Sequence, residues 1–583
     1  MTRLSRYKMP LLILIPLLSQ APAIAGPLMA SNKANTNQIT TSQYIIKFKD
    51  KAQSQNLNSS KSVGLSSEQL AANIIHQLNI TSASPLGEGN AYTSKLSERQ
   101  LKELKNNPNV EYIEPDYPKY LYSQHLGQPT DRSKSRPTDV NWEPVLLHSN
   151  DILDSDTGNR TVCIIDSGYA INHPSLISNN VTGKDITGTG SWDNPSISHG
   201  THVAGIIAAM QPNDPESDIG MRGIMPNGKV NIFAVKVVGA NGSIMTSDVI
   251  KAVNVCKDNH ANVISMSLGG FKSSKLEEQT YKEAQKAGIL LVAAAGNNGG
   301  TDNSYPASYP EVMSVASVDS KMAHSAFSQS NAQIEISAPG EAVLSSVIPK
   351  EGRIAELLVN QQSYFPKGVV PTERYVPNDK GSYNEKNIND FYAGKLLSCQ
   401  ITDGKYNCRN MTDDVCLIQR LKDQQRAPNP ESMEERYPEI NPIMACQNAG
   451  AKAAIIYSSD AYPGLQNPFL IDSKETVNIP TVSVSKDTGD ELLANLGQWV
   501  TVNIKPQQDF QYENGTSMAT PYVAAVSALV WSKHPECTAA EVRKAIDASA
   551  THLGANGRNH VFGFGLINGQ NLDKLLGQSC GVN

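Results

Sequence analysis

The sequence predicts a mixed α/β protein: a parallel sheet with helices on both faces, a small α+β unit ahead of it, and a further domain inserted within it. Three observations carry that prediction. Four continuous apolar runs alternate with helical patterns: Val162-Cys163-Ile164-Ile165, the 232–238 run, Val263-Ile264-Ser265-Met266 and the 289–293 run. Strands of that kind belong to parallel sheets buried on both faces. The alternation stops near residue 350, gives way to a more polar stretch holding half of the cysteines, and resumes at Tyr512. Such a stretch is an inserted domain, because structureless connections beyond about 15 residues are uncommon. Finally, residues 44–117 read strand, helix, strand, helix, strand, with Tyr44-Ile45-Ile46-Lys47-Phe48 and Val110-Glu111-Tyr112-Ile113 as strands and helices near 67–78 and 97–106.

A chain of 583 residues exceeds what one core supports, so several folding units are expected. A formal charge of −6 offers no basic face for a phosphate backbone, which excludes nucleic acid as an expected partner. Arg3, Arg6 and Lys8 precede the apolar run 9–18, which Ala23-Ile24-Ala25 follows. That is the pattern of a cleavable export leader over 1–25, and the run is too short to span a bilayer. No later segment is apolar enough to anchor the chain. Export makes disulfides the expected state of the eight cysteines, none of which forms a C-x-x-C pair. Cys163 could pair with Cys256, and Cys537 with Cys580, although the sequence leaves the connectivity open. Between the small unit and the sheet, residues 128–137 are polar and basic with two prolines, an exposed linker suited to being cut.

Acyl transfer to a serine needs a nucleophile, a base for its proton, a carboxylate to orient the base and donors for the oxyanion. Asp166 follows the strand at 162–165, at the carboxyl edge where α/β sites form. His199 opens His199-Gly200-Thr201-His202-Val203-Ala204-Gly205, in which His202, three residues on, reads as structural. Ser517 lies in Asn514-Gly515-Thr516-Ser517-Met518-Ala519-Thr520-Pro521, at the head of an apolar helix whose free N–H groups and dipole favour a developing anion.

These boxes, in the order Asp, His, Asn, Ser, resemble the subtilisin-like serine proteases. Ile165-Asp166-Ser167-Gly168, the His199 box, Ser267-Leu268-Gly269-Gly270, Ala295-Gly296-Asn297 and Gly515-Thr516-Ser517-Met518-Ala519-Thr520-Pro521 carry the resemblance, with Phe562-Gly563-Phe564-Gly565-Leu566 downstream. It implies a triad of Asp166, His199 and Ser517, and an oxyanion hole formed by Asn297 with the Ser517 N–H. It also implies that Gly242-Ser243-Ile244 and Ser267-Leu268-Gly269 flank an extended substrate as added strands. Ala294, Ala295, Gly296 and Ser304 then form a small, uncharged pocket for apolar or aromatic side chains, without strict preference for Arg or Lys. The unit at 44–117 resembles the family's inhibitory propeptide through Val110-Glu111-Tyr112-Ile113-Glu114-Pro115-Asp116. Segments around 415–420, 448–457 and 479–484 resemble the protease-associated (PA) domain, which implies that the insertion is β-rich.

The implied organisation is a signal peptide at 1–25, a propeptide at 26–138 cut between 117 and 139, a catalytic domain at 139–349 and 507–583, and a PA domain at 350–506. The expected product is a secreted, monomeric endopeptidase that acts on protein or peptide substrates and has its own propeptide as inhibitor. No cofactor is implied for the chemistry. A structural calcium stays open: Ser175 stands where relatives carry an acidic ligand, and the loop of Asn213, Asp214, Glu216 and Asp218 reads as solvated although long enough to gather oxygens. The rival from another class is a binding protein on an inactive protease fold, which the intact Asp166, His199, Asn297 and Ser517 oppose.

Overall fold

The computed structural model describes residues 43–50, 66–87, 90–122, 142–186, 188, 190–210, 221–239, 242–379, 382–421, 437–555 and 557–580. The leader at 1–25, the linker at 128–137 and the acidic loop at 213–218 lie outside these residues. At the centre is a seven-stranded sheet in the order Ile334–Pro339, Val312–Val318, Leu290–Ala294, Val263–Met266, Thr161–Asp166, Asn231–Lys236, Asn180–Asp185. Every neighbouring pair is parallel. The four apolar runs of the sequence form its middle strands, with both faces buried.

From Thr161–Asp166 the chain goes to the edge strand Asn180–Asp185, returns to fill the place between them with Asn231–Lys236, and then crosses to Val263–Met266 on the other side. That crossing is a switch point, where loops diverge and leave a crevice at the carboxyl ends of the strands. Across one face runs the helix Thr516–Lys533, buried from Thr516 to Ser532, with His199–Ala208 packed beside it. Both helices are enclosed on all sides, and their sequences are correspondingly rich in apolar and small residues. Helices Thr246–Asp258 and Lys275–Lys286 cover the other face around Val249, Val253, Ile264 and Leu291.

The inserted region departs and returns through an antiparallel pair, Gly352–Val359 with Trp499–Gln508. These strands belong to an eleven-stranded sheet that continues through Phe391–Thr402, Val415–Gln419, Ala453–Tyr457 and Thr481–Val484. The return strand leads into Phe510–Glu513, which pairs with Val343–Ser346 directly before the Ser517 helix. Disulfides join Cys163 to Cys256 and Cys537 to Cys580, the two pairings open from sequence, and join Cys399 to Cys408 and Cys416 to Cys446 within the insertion.

The N-terminal unit is a four-stranded antiparallel sheet, Ser84–Pro85, Ala91–Lys95, Gln43–Phe48, Val110–Pro115, with helices Ser67–Gln77 and Glu98–Lys105 on one face. Both helices start in capping boxes, Ser66 with Gln69 and Ser97 with Gln100, which satisfy N–H groups left free at a helix start. The opposite face buries Ile45, Leu86 and Ala91 against Ile250 and Leu276 of the main domain. Two acids of the unit then cap that domain's helices. Asp116, fully buried, accepts from the Ser247 N–H at 3.0 Å and hydroxyl at 2.6 Å, while Glu114 accepts from the Ser274 hydroxyl at 2.7 Å and the Lys275 N–H at 3.0 Å. Carboxylates at helix N-termini meet unpaired donors and the positive dipole end.

Candidate active site

The sequence reading closes the N-terminal unit at 117, yet the chain runs on as the strand Pro118–Leu121. Its four residues carry no periodicity of their own to read; their hydrogen bonds come from another domain. The strand lies centrally in a three-stranded antiparallel sheet, between Leu268–Gly269 and Ile244–Met245. These are the two segments expected to flank a substrate, with Ser243 immediately before the second.

Tyr122 ends this tail inside the crevice. Its N–H donates to the Ser267 carbonyl at 3.2 Å, and its ring enters a pocket where its hydroxyl and the Ser304 Oγ share a 2.6 Å hydrogen bond. Gly269 forms one wall: a Cβ there would stand 2.6 Å from the ring, too close for any side chain. Ala294 closes the strand Leu290–Ala294, and Ala295 and Gly296 lead from it to Asn297. The Asn297 Nδ2 donates to the Tyr122 carbonyl oxygen at 2.7 Å. Its Oδ1 accepts from the Thr516 N–H and hydroxyl, both at 2.9 Å, so the amide is held by the head of the Ser517 helix. Gly515 at that head lies so close that a Cβ would overlap the Tyr122 carbonyl.

Asp166 ends its strand with its Oδ1 accepting from the His199 Nδ1 at 2.7 Å and the Ser167 N–H at 2.6 Å. Both side chains are almost wholly buried. Burial opposes a charge on His199, but the Asp166 carboxylate outweighs it through Coulomb attraction and the hydrogen bond, so the imidazole pKa is raised above its ordinary value. The Ser517 hydroxyl does not reach His199 here; it donates to the Ser267 carbonyl at 2.9 Å. Ser267 returns a bond through its own hydroxyl to the Ser517 carbonyl at 2.8 Å. That acceptor is free because its helical donor, four residues on, is Pro521, which has no N–H. His202 is fully buried, and its Nε2 lies 3.1 Å from the Gln511 carbonyl.

Ser175 is buried and carries no carboxylate to the position where a calcium ligand would stand. Among the described residues no group of three or more His, Cys, Asp or Glu is placed to hold a metal, and no helix is long and apolar enough to cross a membrane. Sequence reasoning missed Tyr122 as a contact of the crevice, and Lys119, Glu114 and Asp116 as contacts with the rest of the main domain. The visible hint was an aromatic and apolar Tyr120-Leu121-Tyr122 directly ahead of a polar stretch.

A peptide carbonyl held between an amide donor and the head of a serine-bearing helix, beside an Asp–His pair, is the arrangement with which serine hydrolases transfer acyl groups. Comparison narrows the class. The subtilase family model matches residues 158–377 and 480–565, more than half of the chain, the PA domain model matches 374–492, and the peptidase inhibitor I9 model matches 43–122. "Subtilisin amylosacchariticus" of Bacillus subtilis subsp. amylosacchariticus is 34% identical over 265 residues, 44% of this chain and 64% of its own. The "thermostable alkaline protease" of Halalkalibacterium halodurans is 35% identical over 260 residues, 43% of this chain and 64% of its own. The crystal structure of the psychrophilic subtilisin-like protease Apa1 from the Antarctic psychrotroph Pseudoalteromonas sp. AS-11 superimposes with a TM-score of 0.71 at 45% identity, covering 77% of this chain and all of that one. The chain therefore belongs to the subtilase family, the subtilisin-like serine proteases, and carries an I9 inhibitor unit and a PA domain. It spans 64% of the length of the subtilisins it matches.

Proposed function

We propose that the chain is an exported zymogen that cuts its own propeptide after Tyr122 and then hydrolyses proteins as an endopeptidase favouring aromatic residues before the cut. Ser517 is the nucleophile, His199 its base, Asp166 the carboxylate that orients and stabilises the imidazole, and Asn297 with the Ser517 N–H the oxyanion donors. The Ser517 hydroxyl turns from the Ser267 carbonyl toward His199 Nε2, gives up its proton there and attacks the carbonyl carbon. Collapse of the tetrahedral intermediate returns that proton to the leaving amine; water then repeats the sequence on the acyl-enzyme.

The observation that carries this reading is the 2.7 Å bond from Asn297 Nδ2 to the Tyr122 carbonyl, with the Tyr122 ring seated beside Ser304. A tail paired on both sides as a strand is how a substrate backbone is held. Support also comes from the I9 match, which ends at residue 122. The four disulfides suit an oxidising compartment and so support export. The proposed catalytic domain spans 139–349 and 507–583, with the PA domain at 350–506.

The test is the amino terminus of the first maturation product, read by sequencing and intact mass. The expected terminus is Ser123; a first cut elsewhere between 117 and 139 would mean that the tail does not sit as a substrate.

A second expected result concerns pH. Only neutral His199 can accept the serine proton, so kcat/KM should fall as pH drops through the imidazole pKa, which the Asp166 carboxylate raises above about 6.5. In Asp166→Asn this acid limb should move down as the rate collapses. A wild-type limb well below 6.5 would remove His199 from the role of base.

A further inference from the structure

Counting back from Tyr122, the fourth residue of the tail is Lys119. Its strand partner is Ile244 on one side, and its side chain leaves the sheet for the main domain, where it is completely buried. The Nζ donates to the Glu277 Oε2 at 2.9 Å and to the Tyr305 carbonyl at 3.0 Å. Glu277 is also fully buried, in the first turn of the helix Lys275–Lys286, where the dipole favours its negative charge.

The rest of the carboxylate's surroundings belong to the main domain and do not depend on the tail. The Tyr309 hydroxyl donates to Oε2 at 2.9 Å and the Tyr281 hydroxyl to Oε1 at 3.3 Å. Tyr309 in turn packs against Tyr305 and Tyr281, with ring centroids 4.8 and 5.6 Å apart. Burial first, and then the Glu277 charge, hold both phenols well above their ordinary pKa, so they remain donors. The acid is thus fixed by two tyrosines with one direction left open, toward the tail.

We propose that Glu277 is a specificity-determining residue: with Tyr309 and the Tyr305 carbonyl it forms a buried acidic subsite that selects a lysine or arginine four residues before the cut bond. This rests on the protease reading above and deepens it, adding a second selective pocket to the uncharged one that takes Tyr122. An isolated carboxylate away from water is costly, and an apolar side chain in the subsite would displace water without supplying a counter-charge. A cationic one completes the pair, and its aliphatic stem suits the enclosed approach. The substrate class is proteins with a basic residue, two intervening residues and then an aromatic, as in Lys119-Tyr120-Leu121-Tyr122. Tyr120, half exposed, adds little to the choice.

The experiment uses enzyme matured from the full chain and two peptide series of the form X-Tyr-Leu-Tyr, one ending in nitroanilide and one in free carboxylate, with X either Lys or norleucine. Norleucine matches the lysine stem and lacks its charge. The Lys nitroanilide should be cleaved with a kcat/KM about 10- to 100-fold above its norleucine partner. Calorimetry should give the same order for the product peptides. In Glu277→Gln that ratio should shrink, and in Glu277→Leu it should fall to one or reverse, with circular dichroism reporting the fold; should the Leu variant not fold, the near-isosteric Gln variant decides. Equal cleavage and equal binding of both peptides by wild type overturns the subsite while the protease reading stands. A ratio that ignores Glu277→Gln also overturns it. Selective binding of the Lys product without any cleavage upholds the subsite and removes the protease reading.

Discussion

Replacing Ser517 by Ala should leave the precursor uncut after Tyr122 and lower turnover by about 10⁶, a scale established for subtilisin itself and carried over to this relative. The substitution is structurally mild. Ser517 is buried at the second residue of a long helix, where Ala suits the backbone, and the bond from the Ser267 hydroxyl to the residue-517 carbonyl is unaffected. Only the bond from the Ser517 hydroxyl to the Ser267 carbonyl is lost. Loss of activity in a folded Ala variant therefore reports on the nucleophile. Chain mass, casein hydrolysis and labelling by a serine-directed phosphonate should all fail together, while added wild-type enzyme still digests casein. A Ser517→Ala precursor that cuts itself would assign the chemistry to another group. Wild type that matures without labelling or hydrolysis would mean another protease cut it and would favour the binding-protein alternative.

The difference between what the sequence disclosed and what it concealed follows from where each interaction is encoded. The sheet was legible because Val162 to Ile165 and Val263 to Met266 are buried on both faces, so each strand announces itself without reference to its partners. Asp166, His199, Asn297 and Ser517 could be proposed from the sequence because each sits in a short box of small residues at a strand or helix end. The insertion showed itself as a change in composition, although the strands Gly352–Val359 and Trp499–Gln508 that carry it had to be seen paired.

Contacts between the N-terminal unit and the main domain were not legible, because they join residues of unremarkable local pattern across long separations. Lys119 reads as an ordinary exposed lysine until Glu277 is set beside it, 158 residues on. Glu114 and Asp116 read as surface acids until the helix starts at Ser274 and Ser247 are brought to them. The role of Ser267 is the subtlest case. The family box places it beside a substrate, but its bond to the Ser517 carbonyl exists only because Pro521 withholds a donor one helical turn later.

Asn297→Leu should lower kcat by roughly 10² to 10³, again a magnitude taken from the corresponding donor of subtilisin, with a smaller change in KM. The Nδ2 that meets the Tyr122 carbonyl at 2.7 Å is worth most when that oxygen becomes an anion, so its loss falls on the chemical step. Leucine, however, removes two things. The Oδ1 of Asn297 accepts both the N–H and the hydroxyl of Thr516, and leaving these buried donors unpaired costs about 1 to 3 kcal/mol of stability each. Leu should therefore lower the unfolding temperature together with kcat, and on its own it cannot separate a loosened helix head from a lost donor. Asn297→Asp can separate them. It keeps an acceptor for Thr516 in nearly the same volume, removes the Nδ2 donor and places negative charge against the developing oxyanion. Its unfolding temperature should fall less than that of Leu while its kcat falls further. That crossed ranking follows only if Asn297 acts through its amide on the reacting carbonyl. Should the two variants lose activity in proportion to lost stability, the residue works by holding Thr516 and the oxyanion must be met by the Ser517 N–H alone.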